Sequence, residues 1–179
     1  MKKMTEKEAV KLLKKYSKNK DDFNKVLRHS KAVMKEAVRI GEKVKDVDLD
    51  FIKSASLLHD IGRFQKGPLE HGVAGASILR KEGLNDHALV AERHLGAGIS
   101  KEEIIEEGLR LPLKDYIPIS KEEKIITHAD SLVFGYKIKR TEDAVKRFTD
   151  ELGEKVGKKV KKLADEVEKW ENDWGFITS

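Results

Sequence analysis

Ser56-Leu57-Leu58-His59-Asp60-Ile61-Gly62-Arg63 is an apolar helical run that ends on a histidine and an aspartate and then breaks at a glycine. Neighbouring side chains on a helix diverge by about 100°, so His59 and Asp60 cannot grip one ion from inside a continuous helix. At a helix end that opens into a cleft, imidazole and carboxylate can face the same space. The pair gains weight from its company. His29 lies upstream, His71 and His94 follow, and Asp130 comes later, each inside or beside a segment with helical spacing.

The composition bounds what such a cluster can be. The chain has 179 residues, enough for one domain with a real core, and only three prolines. With no cysteine, any metal must be held by histidine and carboxylate. No apolar run reaches the roughly 20 residues of a membrane span, and the Lys-rich, Glu-containing start is no signal peptide, so the expected location is cytoplasmic. Charged residues make up 39% and include many Lys and Glu, a thermophile tendency. The net charge of +5 is spread over interspersed Lys and Glu rather than clustered. That argues against a nucleic-acid footprint while still favouring anionic substrates.

Outward from the opening stretch, Asp48 starts a helix whose apolar positions are Phe51, Ile52, Ala55, Leu57 and Leu58. Before it, Val26, Leu27, Val33, Met34 and Ala37 predict a helix from Asp21 or Asp22 to about Val44, with His29 one turn before Val33. Thr5 with Glu8 is a capping box for a first short helix ending near Ser17. Downstream, 63–68 reads as a loop, and His71 opens a helix that stops at Gly83. Gly72 and Gly75 are unfavourable within that helix, which predicts close approach of backbone or ligand. Asn85 or Asp86 caps a short helix leading to Glu92-Arg93-His94 and a glycine turn, and His87 in its first turn reads as a surface residue.

Ser100 with Glu103 and Ser120 with Glu123 form two further capping boxes, and the irregular stretch 109–119 between their helices suits a surface or a cleft rim. The second of these helices carries Asp130 among Ile125, Ile126, Ala129, Leu132 and Val133. A carboxylate there is costly to bury unless it meets a cation or hydrogen bonds. Thr141 caps the next segment, whose apolar residues at steps of three or four predict one helix of about 30 residues reaching Trp170, roughly 45 Å long. Its far end is a candidate surface for a homodimer. No segment reads as a convincing strand and no linker divides the chain, so the expected fold is all-α, a single domain over 1–179.

His29, then His59-Asp60, then Asp130, all on helices, resembles the HD-domain superfamily of metal-dependent phosphohydrolases. The added His71 and His94 resemble its two-metal subset. His71-Gly72, His94-Leu95-Gly96 and Ala129-Asp130 are similar to bacterial HD-type diadenosine tetraphosphate hydrolases. The wording of 92–99 and 127–130 looks more like an uncharacterised archaeal branch. The glycine turn after His94 departs from the bacterial pattern and leaves the substrate open. The likeness covers roughly 24–136.

The resemblance implies two divalent transition ions, of iron, manganese or zinc. His29, His59, Asp60 and Asp130 hold one and His71 and His94 the other, with Asp60 bridging. It also implies a phosphorylated substrate, in particular a nucleotide, attacked by a water that the ions acidify. Arg63, just past the pair, is the candidate for binding phosphate charge, and His128 for donating a proton to the leaving group. Each residue has a plainer alternative: a core histidine for His29, a surface arginine for Arg63, a packed histidine for His128. Two other functions compete with hydrolysis: a di-iron oxygenase, and a nucleotide-binding module without turnover.

Overall fold

The computed structural model describes residues 3–175, with side chains over 3–173; residues 1–2 and 176–179 of the expected domain lie outside it. Helices α1 (Glu6–Tyr16), α2 (Lys20–Gly41) and α3 (Leu49–Leu58) come first, and a 3-10 turn at Ile61–Phe64 follows. Next are α4 (His71–Lys81), α5 (Asn85–Arg93), a 3-10 turn at Leu95–Ala97, and the short α6 (Lys101–Glu106). Helix α7 (Lys121–Leu132) runs into β1 (Val133–Phe134), which pairs antiparallel with β2 (Lys137–Ile138). Helices α8 (Thr141–Leu152) and α9 (Glu154–Gly175) end the chain. The fold is all-α apart from this two-residue ladder.

Helix α3 lies between two apolar clusters and supplies both. Its Leu57 and Leu58 join Leu13, Ile61, Leu79 and Leu84, whereas Ile52 and Ala55 join Ile40, Ile125, Ile126 and Val167. Each such side chain contributes about 1.5–3 kcal/mol on full burial. The end of α3 is therefore held from both sides, which fixes where His59 and Asp60 emerge. No helix of the described residues is long and apolar enough to cross a membrane.

Several local expectations change. The stripe from Thr141 to Trp170 is two helices, not one, because Gly153 takes a left-handed φ of 92° and caps α8. The apolar spacing stays in phase across that glycine, so periodicity did not reveal the break. The long C-terminal helix is α9 alone, and α8 folds back along it, with the Thr141 hydroxyl donating to Glu168 at 2.6 Å. Arg140 rather than Thr141 is the N-cap of α8, and Asn19 rather than Asp21 or Asp22 caps α2. Ser120 caps α7, but the Glu123 carboxylate accepts from the Ile119 amide and Arg93 instead of closing a box. The stretch 109–119 closes over the turn after His94 through an antiparallel bridge between Ile99 and Tyr116.

Candidate metal centre

Two of the site histidines are placed by one local rule. A helix leaves its last carbonyls without intrahelical partners. His59 is the C-cap of α3 and donates Nδ1–H to the Ser56 carbonyl at 2.7 Å; His94 is the C-cap of α5 and donates to Ala91 at 2.8 Å. His29, in mid-helix, donates to the Gly135 carbonyl of the β1–β2 turn at 2.7 Å. In all three, Nδ1 carries a proton, so a neutral ring presents the Nε2 lone pair to the interior.

Close backbone packing brings α4 into range. A Cβ on Gly62 would lie 1.9 Å from the His71 carbonyl oxygen, and one on Gly72 would lie 2.9 Å from that of Ala91. Glycine at these points lets the start of α4 press onto the 3-10 turn and onto α5. As a result His71 Nε2 is 3.2 Å from His94 Nε2 and 3.0 Å from Asp60 Oδ1.

All six predicted ligand positions converge. Asp130 Oδ1 lies 2.9 Å from His29 Nε2 and 3.4 Å from His59 Nε2, forming one group. Asp60 Oδ1, His71 and His94 form the other, with His94 Nε2 3.5 Å from that oxygen. Asp60 spans the two, its Oδ2 lying 3.7 Å from His29 Nε2. The first group is reached from solvent, with the His29 and Asp130 side chains 20% and 22% exposed, whereas Asp60 is 2% exposed.

The electrostatics follow from this packing. Burial alone would raise both carboxyls, but His59, His71, His94 and Arg63 around Asp60, and His29 and His59 around Asp130, hold both well below the usual carboxylate range. Burial works against a charged His29, yet the hydrogen bond and charge of Asp130, with Asp60, push it up to about 9. Burial pushes His94 down against the pull of Asp60.

With Nδ1 already donating to a carbonyl, His29 can bond Asp130 only as an imidazolium. Otherwise a lone pair faces a carboxylate oxygen at 2.9 Å, an arrangement that calls for a cation between them. His59 Nε2, Asp60 Oδ1 and His71 Nδ1 are buried without a hydrogen-bond partner. The first two are lone-pair atoms of the kind that ligate a cation. A nitrogen–oxygen set with no thiolate suits a divalent first-row metal, and the residues fit one.

Arg63 belongs to the site, since its Nε donates to Asp60 Oδ2 at 2.5 Å. His128 does not. It sits two residues from Asp130, on the opposite face of α7, buried, with Glu168, Glu36 and Arg39 as its charged neighbours. The proton-donor role read for it therefore falls. His87 is no surface residue either: it is 2% exposed, with Nε2 at 2.9 Å from Ser54 Oγ.

The sequence did not reveal the holding groups: the Gly135 carbonyl, the buried Glu92 bound by Arg80 and Lys114, and the Arg93–Glu123 pair. Glu92 and Arg93 directly precede His94 and tie the end of α5 to α4, to 109–119 and to α7. A histidine placed at a helix end before a glycine turn was the visible signal for such carbonyl bonds.

The model of the HD domain matches residues 26–135. The chain belongs to the HD domain family. An uncharacterised protein of Methanocaldococcus jannaschii is 48% identical to this HD domain protein over 133 residues, covering 72% of this chain and 78% of its own length. Two chains named tRNA (cytidine(56)-2'-O)-methyltransferase, from Picrophilus torridus and Thermoplasma volcanium, are each 37% identical over 152 and 139 residues. Those matches cover 84% and 77% of this chain but only 43% and 40% of the methyltransferases. None of the three relatives is named a diadenosine tetraphosphate hydrolase, and no solved structure matches.

Proposed function

We propose that this HD domain is a metal-dependent phosphohydrolase that cleaves a phosphoester or phosphoanhydride bond in a nucleotide or related phosphorylated metabolite. The observation that carries the reading is the convergence of four imidazoles on two carboxylates, with Arg63 on the Oδ2 of Asp60. His29, His59, Asp60 and Asp130 would hold one ion, and Asp60, His71 and His94 a second. Bound there, the ions acidify a water and polarise phosphoryl oxygens.

The chain's own groups supply the rest. Carbonyl bonds from Nδ1 lock the His29, His59 and His94 rings, so little rearrangement accompanies binding. The exposed His29–Asp130 side is where substrate enters. Arg63 is 45% exposed and engages Asp60 only through Nε, leaving the rest of its donor fork for phosphate oxygens. Beside His29, Arg28 stacks on Tyr136 at 3.8 Å, and Tyr136 is half exposed, an aromatic and cationic rim suited to a nucleotide.

The methyltransferase relatives favour one variant of this reading, in which the scissile phosphate belongs to RNA. Their activity belongs to chains more than twice as long as the matched stretch and is not carried over. The test is anaerobic purification with elemental analysis, followed by nucleoside phosphates, dinucleoside polyphosphates and RNA with terminal phosphates under Fe, Mn and Zn. Hydrolysis lost in Asp60→Ala supports the proposal. Oxygen consumption with loss of a carbon substrate would favour the di-iron oxygenase, and tight nucleotide binding without turnover a binding module.

A further inference from the structure

At the opposite end of α3 from His59 lies a cavity of about 460 Å3. Helix α3 is ten residues long, about 15 Å, and no residue lining the cavity is one of the metal-ligand candidates, so this space is no part of the metal cluster. Its size falls within the roughly 300–1,000 Å3 typical of small-molecule sites. Phe51 and Ser54 of α3, His87 of α5, and Lys3, Met4 and Lys7 around the start of α1 form its wall.

Hydrogen bonding fixes what His87 offers there. The Ser54 hydroxyl donates to backbone, with the Asp50 and Phe51 carbonyls each at 3.2 Å. With that proton engaged, its lone pair accepts from His87 Nε2–H at 2.9 Å in the tautomer that protonates Nε2. Nδ1 is thereby an unprotonated acceptor, and it has no partner among the described residues. Burial without a carboxylate in contact keeps the ring neutral, its pKa pushed down to about 4. The Phe51 ring meets His87 edge-on at 4.9 Å and adds an apolar surface.

Of the carboxylates on the wall, Asp48 is engaged by the Phe51 amide and Asp50 pairs with Lys53. Glu6 is the remaining acid, set against Lys3 and Lys7.

We infer that this cavity is a second ligand site for a nucleotide. A ring N–H or exocyclic amine of the base donates to His87 Nδ1, the base packs on Phe51, and the phosphate meets Lys3 and Lys7. A ring acceptor on the cavity wall beside an aromatic face selects a flat donor-bearing heterocycle, and the lysines select its anionic tail. The inference does not depend on the chemistry of the metal cluster.

The test follows the His87 ring nitrogens by 15N NMR in the full chain, in EDTA so that AMP is neither hydrolysed nor held at the metal cluster. Adenosine, AMP and inorganic phosphate are titrated separately. The expected result is a saturable shift of Nδ1 with adenosine and a tighter one with AMP, Kd below about 1 mM. Lys7→Glu, an exposed change, should weaken AMP about tenfold and leave adenosine unchanged. No saturable shift with either nucleoside compound, a response to phosphate alone, or equal weakening of adenosine and AMP by Lys7→Glu would overturn the inference. His87→Leu, checked for folding by its spectrum, should abolish adenosine binding, and undiminished binding would also overturn it.

Discussion

All six histidines are largely enclosed by helices, yet four of them gather on two carboxylates and two stand apart from any. His29, His59, His71 and His94 surround Asp60 and Asp130, and His29 is pushed up to about 9. His87 and His128 are as deeply buried but touch no carboxylate, and burial pushes both down, His87 to about 4. Burial alone makes an imidazole neutral. Two shared carboxylates turn the same side chain into part of a seat for cations.

The contrast breaks most completely at Asp60. Asp60→Ala removes the carboxylate whose Oδ1 faces His71 and His94 and whose Oδ2 faces His29, leaving the rings closer to the state of His87. Metal content should fall toward zero and hydrolysis should vanish; elemental analysis and assay check both, and full activity would exclude Asp60 as the bridge. Gly62→Ala comes next, because its Cβ would sit 1.9 Å from the His71 carbonyl oxygen. Displacing α4 should cost about 3 kcal/mol or more in urea unfolding and empty the His71–His94 side first. Wild-type stability and metal content would show that this packing does not place His71.

Arg63→Ala sharpens the comparison by sparing the ligands. Metal content should be retained while turnover drops about 100-fold, the usual loss for a donor to transition-state charge. Loss of metal instead would give Arg63 a structural role.

The smallest effect concerns the solitary histidine. With a folded pKa of about 4 against 6.5 when unfolded, His87 leaves the unfolded chain holding the extra proton between those values. Its stabilising contribution is present above pH 6.5 and is lost as pH falls toward 4, about 3 kcal/mol in all. His87→Gln should therefore lose less stability than wild type between pH 7 and 4.5 in urea unfolding. Parallel losses would contradict a neutral buried His87.

Much of this was legible in the sequence, for a physical reason. Helical spacing and caps such as Thr5–Glu8 are local properties, so α1, α3 and α4 were readable within a residue or two. The six ligand positions stood out because histidine and aspartate within apolar helices need a partner. What could not be read depends on contacts distant in sequence. Nothing local distinguishes His87 from His71, since both open helices, and only the fold puts one beside Ser54 and the other beside Asp60. The fold-back at Gly153 was hidden because two antiparallel helices with their stripes in phase look like one long helix.

In the function proposed, two groups of ligands share Asp60 and hold two ions. Metal stoichiometry of the purified wild type and of the double variant His71→Ala/His94→Ala tests it most directly. Two ions per chain are expected in the wild type and one in the variant, because His29, His59, Asp60 and Asp130 remain. An unchanged stoichiometry in the double variant, with normal turnover, would contradict it.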